Sequence, residues 1–180
     1  FYVERQEDPK LEVTFAWTEG TDDATQSFVN GVPTPDGGTH EQGLKDAILR
    51  SVRAYIETNS VSIPRGIKLS AEDIREGVTA ICSIFIPDPQ FQGQTKDKLN
   101  NPEVRAQIEG MMRPLLSQWM LNNQSIADAL ITRMVLAAKA RQASRAASSS
   151  VRRKSATNRR LNLPGKLADC SVRDASLSEL

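Results

Sequence analysis

The sequence predicts an α+β fold, a two-layer sandwich in which helices stack on one face of a sheet. Three observations carry this expectation. Residues 11–17, LEVTFAW, alternate apolar and polar side chains, the period of a half-buried strand. Residues 78–86, VTAICSIFI, form a long β-branched run that suits a central strand covered on at least one face. Elsewhere apolar residues recur at helical spacing, so the elements fall in the order β-β-α-β-α-α without internal repeats.

In the first strand Leu11, Val13, Phe15 and Trp17 share one face, and Glu12, Thr14 and Ala16 the other. Residues 19–23 read as a turn and 24–30, ATQSFVN, as a second strand, so the pair is predicted to be a hairpin. Residues 31–38, GVPTPDGG, carry two prolines and three glycines, which exclude a helix or a central strand. Thr39, followed three residues later by Gln42, matches a capping box. It opens a predicted helix over residues 40–58 with the stripe Leu44, Ala47, Ile48, Ser51, Val52 and Tyr55. Ser70 and Asp73 form a second capping box ahead of one short turn. Pro87-Asp88-Pro89 closes the central strand, and residues 90–101, QFQGQTKDKLNN, read as a polar loop.

Pro102 starts the next helix, whose apolar residues are Val104, Ile108, Met111, Met112, Leu115, Leu116, Trp119 and Met120. Pro114 is expected to kink it. Ser125 with Asp128 is expected to cap the last helix, whose stripe is Ala127, Leu130, Ile131, Met134, Val135 and Ala138. Helical composition continues to residue 147 and as far as residue 154. At about 1.5 Å per residue such a helix exceeds roughly 30 Å, a strut rather than an ordinary packing helix. Leu163-Pro164-Gly165 breaks the pattern.

At 180 residues the chain is one ordinary domain, or one with an extension, and can bury a core without disulfides. Its two cysteines, Cys82 and Cys170, lie far apart, which suits a reducing compartment. With His40 as the single histidine, a zinc site is not expected. No run reaches the roughly 18 apolar residues of a membrane span. The chain opens on Phe1 and a charged decapeptide without signal-peptide character, so it is expected to be a piece of a longer cytoplasmic protein.

A net charge of +1 conceals segregation. Between Asp128 and Asp169 there is no acidic residue, but ten basic ones: Arg133, Lys139, Arg141, Arg145, Arg152, Arg153, Lys154, Arg159, Arg160 and Lys166. The remainder sums to −9. An acidic body with a basic extension favours contact with a polyanion, against the alternative of a solvated helix face without a ligand. The block lacks aromatic residues, so contact would be with phosphates and independent of sequence.

Gly37-Gly38-Thr39-His40 precedes a helix N-terminus, where an anion could sit, but a tight turn with a cap is the favoured reading. His40 reads as a packed or capping residue, because no serine or cysteine accompanies it in a nucleophile motif. Gln94-Thr95-Lys96 lies in a glycine-containing loop after the central strand. Such a lysine can serve as a point charge for phosphate, although no Walker motif is present and a solvated lysine is the simpler reading of the loop alone. The carboxylates of EDIRE, residues 72–76, read as capping and surface charge.

Several strings together are more specific than any alone: FVNGVPTPDGGTHEQGLK (28–45), KLSAEDIREGVTAI (68–81), PDPQFQGQTKDKLNN (87–101), AAKAR (137–141), RRKSA (152–156) and LPGKLADC (163–170). In content and order they closely resemble the B subunits of bacterial type IIA topoisomerases, DNA gyrase and topoisomerase IV, across essentially the whole chain. The resemblance is to the transducer domain, with LPGKLADC similar to the junction into the TOPRIM domain. It implies three parts: a transducer core over 1–124, a long basic helix or linker over 125–160, and the start of TOPRIM over 161–180.

The same resemblance implies the left-handed βαβ unit of the second domains of GHKL ATPases, carrying a long C-terminal helix. Lys96 resembles the family's switch lysine, which reaches the γ-phosphate of ATP, and Gln94 its loop companion. ATP and Mg2+ would be bound mainly by other domains, so no metal ligand and no complete catalytic set is expected here. Arg133, Lys139, Arg141, Arg145, Arg152, Arg153 and Lys154 would face double-stranded DNA. The topoisomerase A subunit and a second copy of the B subunit would be partners. The family's usual FEGQTKTKLG is altered here at Gln92, Asp97 and Asn100, with QTK intact. The alternative function is a non-enzymatic nucleic-acid-binding module acting through the basic helix.

Overall fold

The computed structural model describes residues 1–158, with side-chain surroundings through residue 151. The expectations for residues 159–180, including Arg159, Arg160, Lys166 and the TOPRIM segment, lie outside the described residues. The chain divides into two compact units, Phe1–Ala140 and Arg141–Leu180.

The main sheet of the first unit contains β1 (Tyr2–Arg5), β2 (Lys10–Trp17), β3 (Ala24–Val29), β4 (Val32–Pro33) and β5 (Val78–Phe85). Their order is β1-β2-β5-β3-β4. The predicted hairpin of β2 and β3 is therefore corrected. β5 lies between them, antiparallel to β2 from Lys10↔Phe85 to Trp17↔Val78 and parallel to β3 from Ala24↔Thr79 to Val29↔Ile84. The reason is burial: Val78, Ala80, Cys82 and Ile84 are all buried, and a strand with that inner face gains most from a neighbour on each side. The segment between β2 and β3 must then span two strand spacings, about 10 Å, which six residues reach easily. β1 has no counterpart in the sequence-based expectation. It pairs with β2 from Tyr2↔Thr14 to Arg5↔Leu11. The proline-containing 31–38 segment supplies only the short outer strand β4.

The described helices are α1 (Thr39–Thr58), α2 (Ala71–Arg75), α3 (Pro102–Asn122) and α4 (Gln124–Asn158). The sheet buries Leu11, Val13 and Phe15 of β2 on its inner face, and leaves Ile81 and Phe85 of β5 exposed on the other. This is the expected two-layer α+β arrangement. On α3, Val104, Ile108, Met112, Leu116 and Met120 are buried at a strict spacing of four, one ridge of a helix packing against α1. Pro114 sits inside α3, which continues to Asn122. On α4, Ala127, Ile131, Met134, Val135 and Ala138 are buried as their spacing predicts, and the helix continues past residue 154.

Of the three predicted caps, one is realised. The Ser70 hydroxyl accepts from the Asp73 amide at 3.3 Å, and an Asp73 oxygen accepts from the Ser70 amide at 2.7 Å. Thr39 is instead the first helical residue, after Gly38, and its hydroxyl is buried without a hydrogen-bond partner among the described residues. Ser125 lies inside α4, because the amides of Ile126 and Ala127 both donate to the Asn123 carbonyl at 3.0 Å. Asp128 accepts from the Tyr55 hydroxyl at 3.3 Å, joining α4 to α1.

Candidate functional site

The polar segment 90–101 is not a plain loop. It folds into a small hairpin of β6 (Phe91–Gln92) and β7 (Lys98–Leu99), with Phe91 opposite Leu99 and Gln92 opposite Lys98. The five residues between the strands turn through positive φ at Gly93 (78°) and Lys96 (61°). Glycine takes that conformation freely, whereas for a lysine it costs about 1–2 kcal/mol. A strained lysine persists only where its surroundings determine it, and such residues cluster at switches and clamps.

The surroundings are fixed at the hairpin base. Leu99 is fully buried and Phe91 packs against the core. Asn101, also buried, accepts from the Gln90 amide at 2.6 Å and donates to the Asp88 carbonyl at 3.2 Å and to Glu103 at 2.8 Å. That last bond holds the Glu103 carboxyl below the usual carboxylate range. The tip, by contrast, is open to solvent: Gln94, Thr95 and Lys96 are exposed, and the Lys96 ammonium lies 5.8 Å from the centre of the Phe91 ring.

Two features that read separately in the sequence meet here. The Asp36 amide donates to the Asp97 carbonyl at 2.9 Å, the Leu99 amide to the Gly37 carbonyl at 3.1 Å, and Gly38 bridges to Leu99. The glycine pair before α1 thus holds the lysine hairpin. His40 stands behind it, fully buried, with Nε2 3.3 Å from the Thr34 hydroxyl. Thr34 in turn lies 2.8 Å from the Ser27 hydroxyl. Burial lowers the His40 pKa to about 4, so the ring is neutral near pH 7 and serves as packing, as its sequence context suggests. Asn101 and the Ser27–Thr34 pair escape sequence reasoning; a polar residue gives no periodic sign that it will be buried.

The basic residues divide by surroundings. Arg133 donates from Nη2 to the Gly20 carbonyl at 2.9 Å. Lys139 and Arg145 are exposed, and Arg141 is half-buried. Arg152, Arg153 and Lys154 lie in α4, but their side chains are outside the described residues. Cys82 is buried in β5, and burial pushes its thiol up to about 12, too high for a nucleophile. Among the described residues no group of three or more His, Cys, Asp or Glu is placed to hold a metal ion. No described helix is long and apolar enough to cross a membrane.

Comparison with known proteins gives the family of the chain. The family model for DNA gyrase B matches residues 1–150. The DNA gyrase B subunit of Bacillus mycoides is 41% identical over 180 residues, covering 99% of this chain and 44% of that protein. That of Halalkalibacterium halodurans is 40% identical over 170 residues, covering 94% of this chain and 26% of that protein. The chain therefore spans less than half the length of these relatives. Among solved structures, the 43K ATPase domain of Thermus thermophilus gyrase B, in complex with an aminocoumarin, superposes with a TM-score of 0.76 at 31% identity, over 83% of this chain and 40% of that one. The topoisomerase IV ATP-binding domain of Francisella tularensis, in complex with a small-molecule inhibitor, gives 0.71 at 35% identity, over 78% and 39%.

Proposed function

We propose, because this chain belongs to the DNA gyrase B family, that it is the transducer segment of a type II topoisomerase, coupling ATP binding and hydrolysis to the passage of double-stranded DNA. The observation that carries this reading is Lys96. Its ammonium is exposed, its backbone is strained, and its hairpin is pinned on both sides of the base. That combination suits a point charge held ready for a terminal phosphate. The chain's own part is narrow. Gln94 and Lys96 can meet the end of a nucleotide whose base and sugar are held by a neighbouring domain, and Mg2+ would likewise be held outside the described residues. ATP supplies the phosphoanhydride bond; Lys96 supplies a charge whose partner is lost on hydrolysis, which can bias two orientations of the loop that carries it.

The rest of the chain supports the same reading. The β3–α1–α2–β5 crossover is of the βαβ kind that the family's second domains use. Residues 1–124 would form the body, 125–160 the basic helix and 161–180 the entry to TOPRIM; the break between compact units at Ala140 falls inside that helix. Lys139 and Arg145 would neutralise DNA phosphates without reading bases, with Arg141, Arg152, Arg153 and Lys154 in the same stretch. The topoisomerase A subunit and a second copy of the parent chain would complete a cytoplasmic enzyme.

The test is Lys96→Ala in the intact parent protein. ATP turnover should fall about 100-fold, the usual loss when one fixed electrostatic group is removed from a transition state, with the melting temperature unchanged. Near-normal turnover would overturn the assignment.

A further inference from the structure

We propose that Gly38 is a positioning residue for Lys96: the Gly37-Gly38 turn is a clasp that sets the height and direction of the lysine hairpin through Leu99. The inference rests on the reading that Lys96 meets a nucleotide, and it adds how that lysine is aimed.

Leu99 follows Lys96 by three residues and is the buried foot of the hairpin. Its amide donates to the Gly37 carbonyl at 3.1 Å, and its backbone forms a bridge with Gly38. Gly38 has φ 143° and ψ −161°, within the region that side chains disfavour. A Cβ there would clash with the Leu99 carbonyl oxygen and lie 2.6 Å from the Leu99 nitrogen and 2.9 Å from its Cα. These are backbone atoms, so no rotamer change relieves the conflict. Leu99 would have to move, and because it pairs with Phe91, both strands of the hairpin would move with it and carry the exposed tip along. The contact tolerates glycine alone, whereas Gly31 and Gly66, also at positive φ, have nothing within 4 Å of an added Cβ. Gly38 is also the residue on which α1 begins, so the clasp joins the lysine to the N-terminal end of a twenty-residue core helix.

The experiment uses the intact parent protein with Gly38→Ala, Lys96→Ala and the double variant, measuring kcat and KM for ATP. Displacement of a reacting group by about 1 Å costs on the order of 100-fold, so Gly38→Ala should lower kcat by about that factor with KM within about twofold. The double variant should turn over no more slowly than Lys96→Ala alone, because one effect acts through the other. If Lys96→Ala is crippled while Gly38→Ala is near normal, or the two losses multiply, the clasp is wrong and the lysine assignment stands. If Lys96→Ala turns over normally, both fall.

A second measurement does not depend on the variant folding. A clasp that favours the lysine–phosphate contact must itself be stabilised by that contact, by thermodynamic reciprocity. Amide exchange at Asp36 and Leu99 in the wild-type protein should slow about tenfold on adding a non-hydrolysable ATP analogue, and not in Lys96→Ala. Unchanged exchange at both amides in the wild type overturns the proposal.

Discussion

Arg133 of α4 donates a hydrogen bond to the Gly20 carbonyl at 2.9 Å, tying that helix to the turn between β2 and β3. Gly77 makes room for it. At φ 75°, its missing Cβ would lie 2.6 Å from the guanidinium and 2.5 Å from the carbonyl oxygens of Gly20 and Thr18. Arg133 is therefore engaged with the fold, unlike the exposed Lys139 and Arg145. Replacing it with methionine keeps the stem and removes the bond. The melting temperature should fall by about 2–4 °C, the shift that a loss near 1 kcal/mol gives in a chain of this size. An unchanged melting curve would show the tether to be idle.

Two glycines on neighbouring helices should respond to alanine with opposite sign. At Gly43 of α1 a Cβ would lie 2.6 Å from the Arg105 carbonyl oxygen and 3.1 Å from the Ile108 Cβ. Val104, Ile108 and Met112 of α3 are buried in the same contact with α1, so α3 has little freedom to shift. The gain in helix propensity is about 1 kcal/mol and the overpacking cost about 1–3 kcal/mol, so Gly43→Ala should destabilise. Gly110 of α3 is exposed with nothing within 4 Å, so Gly110→Ala should stabilise by about 0.5–1 kcal/mol. Denaturant titration of both variants reads the difference directly.

What sequence period can encode explains what was legible. Period states which face of an element is buried, and so Leu11, Val13 and Phe15, the α3 ridge and the α4 stripe fall where their spacing puts them; Leu115, predicted with the apolar residues of α3, lies one residue off the ridge and is exposed. Period does not state which strand lies alongside, and so β2 and β3 read as a hairpin although β5 separates them. Strands of two residues have no period, and β6 and β7 read as loop. Thr39 has the chemistry of a cap, but Gly38, engaged with Leu99, takes that place. At the site, Lys96 stands out through its loop and its family resemblance. Its link to Gly37 and Gly38 is made by backbone atoms some sixty residues away, which no local pattern announces.

His40 gives the fold an acid-sensitive element. In the unfolded chain its imidazole takes up a proton near 6.5, whereas in the folded protein burial delays this to about 4. Between those values the unfolded state binds more protons, so stability rises with pH and is lost as pH falls from 6.5 towards 4. The full loss is on the order of 3 kcal/mol. Its upper part, between pH 6.5 and 5, precedes most carboxylate titration. His40→Gln should lower stability at pH 7, because the buried packing changes, but should flatten the pH dependence in that window. Thermal melts of both proteins from pH 7 to 5 provide the check; a wild-type curve already flat there would contradict a buried neutral histidine.

The exposed cations of α4 predict a different response, one that stability does not report. Each side chain that neutralises a DNA phosphate releases counterions, and each such contact contributes about 0.9 to the slope of log affinity against log salt. Lys139 and Arg145 are exposed on α4. In the intact parent protein Lys139→Ala and Arg145→Ala should each reduce the magnitude of that slope by about one, equally for duplexes of unrelated sequence. Arg133→Met should change the slope less than either while lowering the melting temperature, because its guanidinium is drawn to the Gly20 carbonyl. Fluorescence anisotropy between low and physiological salt separates the two behaviours. A slope altered by Arg133→Met and untouched by the other two would reverse the assignment of tether and phosphate contact along this helix.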